Sequence, residues 1–140
     1  MKRKMGIDYG TNRIGIAISD PLGITARGIE TINWDGIKQE YAINRIRELS
    51  VEYEVDLVIV GLPKRTDGKF SESEEKAKDL ANVLEKVLDA EVIMRDERYT
   101  TVIANRIMRE TNVKNSKKKG ITDQIAAEIL LQDYLNHCIK

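Results

Sequence analysis

Asp8, Glu97 and Asp123 are acidic residues placed where acids are unusual. Asp8 interrupts Met5-Gly6-Ile7-Asp8-Tyr9, an apolar run that reads as a strand. A carboxylate there is costly unless it is paired or bound to a cation. An Asp before Gly10 can also simply open a turn, but Gly10 to Asn12 already supply turn residues, which leaves Asp8 inside the strand. Glu97 follows the strand-like Glu91 to Arg95, at the end where open α/β sheets bind ligands. As an ordinary loop acid it would instead pair with Arg95 or Arg98. Asp123 stands at the expected start of the last helix, where Asp is also a preferred cap. Singly, each signal is weak. Together, three converging carboxylates repel one another, and hard divalent cations relieve this through oxygen ligands. Two such ions roughly 3.5–4 Å apart activate a water and stabilise the leaving oxygen of a phosphodiester. That chemistry needs no Ser, Cys or His nucleophile. The single His137 and single Cys138 lack the number and spacing of a metal site, and His137 reads as a surface residue.

Around the acids stand groups suited to phosphate. Gly10 allows a close backbone approach or simply makes the turn. Arg13 and Arg98 either contact substrate phosphates or pair with nearby acids. Lys117, Lys118 and Lys119 lie in a polar stretch, Asn112 to Gly120, read as a mobile loop that can close over a polyanion. Lys+Arg and Asp+Glu both number 23, so net charge is zero and carries no hint of a polyanionic partner. The distribution does. Residues 1–29 hold five basic and two acidic side chains, and residues 94–119 hold eight and three. Folded side by side, these segments make a phosphate-attracting surface; apart, they are solvated faces. Aromatic candidates for base stacking are few: Tyr9, Trp34, Phe70 and Tyr99. Recognition by shape and backbone follows.

The elements that must position these residues come from periodicity. Met5–Tyr9 and Ile14–Ile18 flank a turn cluster and read as a hairpin, and Arg27–Ile32 reads as a third strand. Residues 35–54 switch to helical spacing through Ile37, Tyr41, Ile46, Leu49 and Tyr53. Asp56-Leu57-Val58-Ile59-Val60-Gly61 holds a continuous apolar run rich in β-branched residues, the mark of a strand buried on both faces. Ser71-Glu72-Ser73-Glu74 has the form of a capping box before a stripe of Ala77, Leu80, Ala81, Leu84, Val87 and Leu88. Helices are also expected at 101–111 and 121–139. The implied fold is α/β: a five-stranded mixed sheet, order 3-2-1-4-5, three antiparallel strands then parallel ones, with helices on both faces. In that order Asp8 and Glu97 face one cleft. Length 140 fits a single domain, 1–140. No run reaches the ~18 apolar residues of a membrane helix, no secretory leader follows the basic start, and the lone Cys points to a reducing compartment. A cytoplasmic protein with no membrane partner is expected.

The sequence also resembles a known family. Asp8-Tyr9-Gly10-Thr11-Asn12-Arg13-Ile14-Gly15 with Ser19-Asp20-Pro21-Leu22-Gly23-Ile24-Thr25-Ala26 is similar to the opening signature of the YqgF-type nucleases, described as pre-16S rRNA nucleases and as Holliday junction resolvases. Val60-Gly61-Leu62-Pro63 with Asp67-Gly68 resembles the family's G-L-P…D-G loop. Asp96-Glu97-Arg98-Tyr99-Thr100-Thr101 resembles its D-E-R-x-T-T motif, and Asp123-Gln124-Ile125-Ala126-Ala127 its closing helix. Four motifs in register span nearly the whole chain. The resemblance implies an RNase H-like fold, Asp8, Glu97 and Asp123 as metal-binding catalytic carboxylates, Mg²⁺ or Mn²⁺ as cofactor, and precursor rRNA or branched DNA as substrate. Lys64-Arg65-Thr66 and Asn12 depart from the family pattern near the cleft, which bears on substrate preference. A monomer suffices to trim an rRNA end, whereas symmetric cutting of a junction wants a homodimer. Two other classes remain: a non-catalytic nucleic-acid or protein-binding module, and an ATP-binding phosphotransfer domain, since Asp8-x-Gly10-Thr11 also resembles a sugar-kinase phosphate loop.

Overall fold

Alternation along the strands decides the architecture. In β1 (Arg3–Tyr9), Met5, Ile7 and Tyr9 are buried on one side while Gly6 and Asp8 point to the other. The computed structural model describes residues 2–10, 13–34, 39–62, 72–96 and 115–138. Within these, the side chains of 62, 72–74, 96, 115–123 and 138 fall outside the description. β1 pairs antiparallel with β2 (Arg13–Ser19), which pairs antiparallel with β3 (Ala26–Asn33). After helix α1 (Glu40–Glu52), β4 (Val55–Leu62) lies parallel to β1. After α2 (Glu72–Val87), β5 (Glu91–Asp96) lies parallel to β4. The sheet order is β3-β2-β1-β4-β5, as the sequence implies.

The two faces are covered differently. Ala42, Ile46 and Leu49 of α1 and Ala77, Leu80, Ala81 and Leu84 of α2 pack on Met5, Ile7, Ile14, Ile16, Val58 and Val60. Arg45 of α1 forks onto Glu30 of β3 with both contacts at 2.7 Å. The other face carries helix α3 (Asn115–Cys138), whose Ala127, Leu130, Leu131 and Leu135 pack on Ala17, Leu57 and Ile59.

Several expectations need correcting. Tyr41 is 64% exposed, because the inward stripe of α1 runs through Ala42, Ile46 and Leu49 instead. Val87 likewise turns out of the α2 stripe. The last helix starts at Asn115, so residues 115–120 are helical and not a mobile loop. Lysines are good helix formers, and Gly120 costs only about 1 kcal/mol within a helix held by its packed second half. The expected capping box, the G-L-P…D-G loop beyond Leu62 and the helix at 101–111 involve residues outside the description.

Candidate active site

Register sets Thr31, Gly15, Asp8, Gly61 and Arg95 in one row across all five strands, with Asp8 on the central strand. The row lies on the α3 face, since each member alternates with residues of the opposite core. Asp8 is half-buried, and its neighbours on both sides are glycines. The sheet surface beside this carboxylate therefore carries no side chain on either adjacent strand. A carboxylate is a hard oxygen donor of the kind a divalent cation takes.

Helix α3 crosses this row. Its approach is close because Gly6 lies beneath it: a Cβ there would stand 2.9 Å from the Ala127 carbonyl oxygen and 2.9 Å from the Leu131 Cβ. One turn before Ala127 is position 123, about 5.4 Å back along the helix. Two residues on from Gly6, about 6.6 Å along β1, is Asp8. Gln124 donates from Nε2 to Thr31 Oγ1 at 3.0 Å, which ties this turn of the helix to the row of Asp8. Asp123 is thus more than two turns inside α3, not at its start, and the capping role expected for it does not apply. An Asp in a helix interior has no local reason to be there. The side chain of Asp123 is outside the description, as is all of Glu97, which follows directly on the end of β5 at Asp96. Among the described residues no three His, Cys, Asp or Glu side chains gather as metal ligands.

Gly10 follows β1, and its need is steric: a Cβ would collide with the carbonyl oxygen of Arg13. Its own carbonyl accepts a hydrogen bond from Trp34 Nε1 at 2.9 Å. Trp34 stacks edge-on against Tyr9 with centroids 5.7 Å apart. Tyr9 is buried, and burial pushes its hydroxyl above the ordinary phenol range. Tyr9 is therefore a core residue and not a base-stacking one. Arg13 opens β2 opposite Asn33 and is half-buried. Arg98 and the side chains of Lys117, Lys118 and Lys119 lie outside the description. Arg95, which the sequence offered as a partner for Glu97, donates to Asp133 of α3 at 2.7 Å and lies over the Tyr134 ring. His137 is 68% exposed, as expected, with Nδ1 3.1 Å from Asp133. Two cavities, of about 310 and 220 Å³, lie at the other end of β1 around Lys2 and Arg3, away from Asp8.

Sequence reasoning found Asp8 but missed Gly15 and Gly61. Their signal was available in the pairing of strand-interior glycines with an acid on the strand between them.

Comparison with known proteins places the chain. The family model described as "RuvX: Holliday junction resolvase" matches residues 2–137. The chain belongs to the RuvX family. A RuvX relative from Acetivibrio thermocellus, named "Putative pre-16S rRNA nuclease", is 53% identical over 135 residues, covering 96% of this chain and 95% of that protein. A Listeria innocua protein of the same name is 43% identical over 134 residues, covering 96% and 97%. Among solved structures, the Fowlpox virus resolvase in complex with Holliday junction DNA aligns with a TM-score of 0.60 at 18% identity, covering 99% of each chain. RuvC of T. thermophilus in complex with a Holliday junction substrate also aligns at 0.60, with 14% identity, covering 99% and 97%. At such identities the likeness is one of fold: this RuvX chain has the RNase H-like fold of the resolvases.

Proposed function

We propose that the chain is a divalent-metal-dependent endonuclease that hydrolyses nucleic-acid phosphodiesters. Its expected tasks are maturation of the 5′ end of precursor 16S rRNA, resolution of branched DNA, or both, in the cytoplasm. The observation that carries this reading is Asp8, a carboxylate on the central strand between two glycines, in a row whose Thr31 accepts a hydrogen bond from Gln124 of the helix crossing that face. The names of the RuvX relatives and the resolvase fold support it.

Asp8, Glu97 and Asp123 would hold the metal, Mg²⁺ or Mn²⁺, as two ions. When bound, such ions lower the pKa of a water and neutralise charge on the leaving oxygen. Asp8 stands on a strand paired on both sides, which fixes the backbone from which its carboxylate projects. Gly15 and Gly61 keep side chains out of the space beside it. Gly10, Arg13, Arg98 and Lys117 to Lys119 would hold substrate phosphates on either side of the reacting one, which orients the scissile bond without reading sequence.

The test is cleavage of a labelled precursor-rRNA fragment and a labelled four-way DNA junction, side by side, with Asp8→Asn as control. Metal-dependent cutting of either by the wild type, lost in Asp8→Asn while substrate is still bound, is the expected result. Cutting by Asp8→Asn at saturating Mg²⁺ would remove the assignment. Paired symmetric incisions in the junction would indicate two copies acting together, and single trimming of the RNA would fit a monomer.

A further inference from the structure

Helix α3 is bound to the sheet by a polar stripe that neither the core nor the proposed chemistry uses. Gln124, Glu128 and Gln132 recur every four residues and lie along one side of the helix. Each reaches a different residue of β3. Gln124 donates to Thr31 Oγ1 at 3.0 Å, Glu128 Oε2 accepts from the Gly28 N–H at 3.0 Å, and Gln132 Oε1 accepts from the Ala26 N–H at 2.9 Å. Gln132 also donates to the Ile24 carbonyl at 2.8 Å. β3 is an edge strand, so these N–H groups have no strand partner on that side.

Water would satisfy such groups equally well. What the three side chains add is register. A step of four helical residues rises about 6 Å, and the step from Gly28 to Ala26 is about 6.6 Å. The irregularity opposite Ile16 and Ala17 adjusts the spacing between Thr31 and Gly28. Sliding α3 by one residue also rotates it by about 100°, which would break all three contacts together. The fit is tight at Gly28, where a Cβ would stand 2.9 Å from the Gln124 Cβ. At the far side of the sheet, Arg95 and Asp133 fasten the same helix to β5.

We infer that Gln124, Glu128 and Gln132 are positioning residues that set where position 123 stands along the strand of Asp8. This rests on the proposed function, in which Asp8 and Asp123 share cations. Groups that orient metal ligands cost about 10–100-fold in metal affinity or activity when lost.

The experiment compares wild type, Glu128→Ala and Glu128→Gln. It reads kcat and KM on whichever labelled substrate the wild type cuts, and the rise in melting temperature caused by Mn²⁺ alone. Glu128→Ala is expected to lower kcat about 10–100-fold, to leave KM within about twofold, and to shrink the Mn²⁺-induced rise. Glu128→Gln keeps an acceptor for the Gly28 N–H and is expected to restore both. If Glu128→Ala fails to fold, Gln132→Ala is read in the same way, with the same direction expected. A wild-type kcat and Mn²⁺ response in Glu128→Ala overturns the inference and leaves the nuclease reading standing. Equal losses in the Ala and Gln variants overturn it as well, because register would then not be the cause. A wild type showing neither cleavage nor a Mn²⁺ response overturns the nuclease reading, and the inference with it.

Discussion

The two faces of the sheet are built from the same strands and differ in almost every other respect. Toward α1 and α2 the alternating residues are Met5, Ile7, Tyr9, Ile14, Ile16, Ile18, Val58 and Val60, all buried and apolar. Toward α3, β1 and its neighbours offer Gly6, Asp8, Gly15, Ala17 and Gly61. The first face is a filled core, where burial stabilises by about 25 cal/mol per Å². The second gives up volume so that a helix and a carboxylate can come close. The first face therefore supplies stability alone, whereas the second combines a smaller core around Ala17, Leu57 and Ile59 with the geometry around Asp8, and substitutions at Ile16 and at Asp8 should separate the two roles.

The largest effect is expected at Asp8. Asp8→Asn should lower cleavage by about 10²–10³-fold, the cost of removing one group that stabilises developing charge. Its melting temperature should remain close to the wild-type value, measured by thermal denaturation. On the opposite face, Ile16→Ala should cost about 2–5 kcal/mol of stability in denaturant titration. Its kcat, assayed where the variant is folded, should stay within about twofold of wild type. A comparable kcat loss in both variants would break the division between faces. Gly28→Ala tests the second face by shape alone. The added methyl must displace Gln124, so we expect about 1–3 kcal/mol of destabilisation together with a lower kcat, a combination neither earlier variant gives. An unchanged kcat there would show that α3 tolerates displacement.

The smallest effect lies at the turn far from both. The Asp20 carboxylate accepts from the Ile24 and Thr25 N–H groups at 2.7 and 3.0 Å, and these bonds, Thr25 foremost, hold it below its ordinary pKa of 3.8. A pKa lowered by folding means stability present above the unfolded value and lost as pH falls through the folded one. Asp20→Asn should therefore lower the melting temperature slightly near neutrality. The difference from wild type should begin to shrink as pH falls to about 3.8 and vanish only once pH is below the lowered folded value.

Much of this was legible in the sequence, for reasons that differ by region. The strand order follows from three short strands with tight connections and two β-branched runs separated by helical spacing. Asp8 stood out because an acid inside an apolar run is costly. The start of α3 was hidden because Lys117 to Gly120 read as a loop by composition, while the tertiary packing of Ala127, Leu131 and Leu135 carries the helix through them. That error also made Asp123 look like a cap. Tyr41 misled because Ile37 and Tyr41 offered one helical phase and Ala42, Ile46 and Leu49 another, and burial chose the second. Gly15 and Gly61 went unnoticed because their contribution is an absent side chain, visible only once register sets them beside Asp8.

The most direct measurement is a calorimetric titration of Mn²⁺ into the wild type, Asp8→Asn and Asp123→Asn, without nucleic acid. The account predicts saturable binding to the wild type, weakened by about tenfold or more in each variant. Identical isotherms for all three proteins would contradict it.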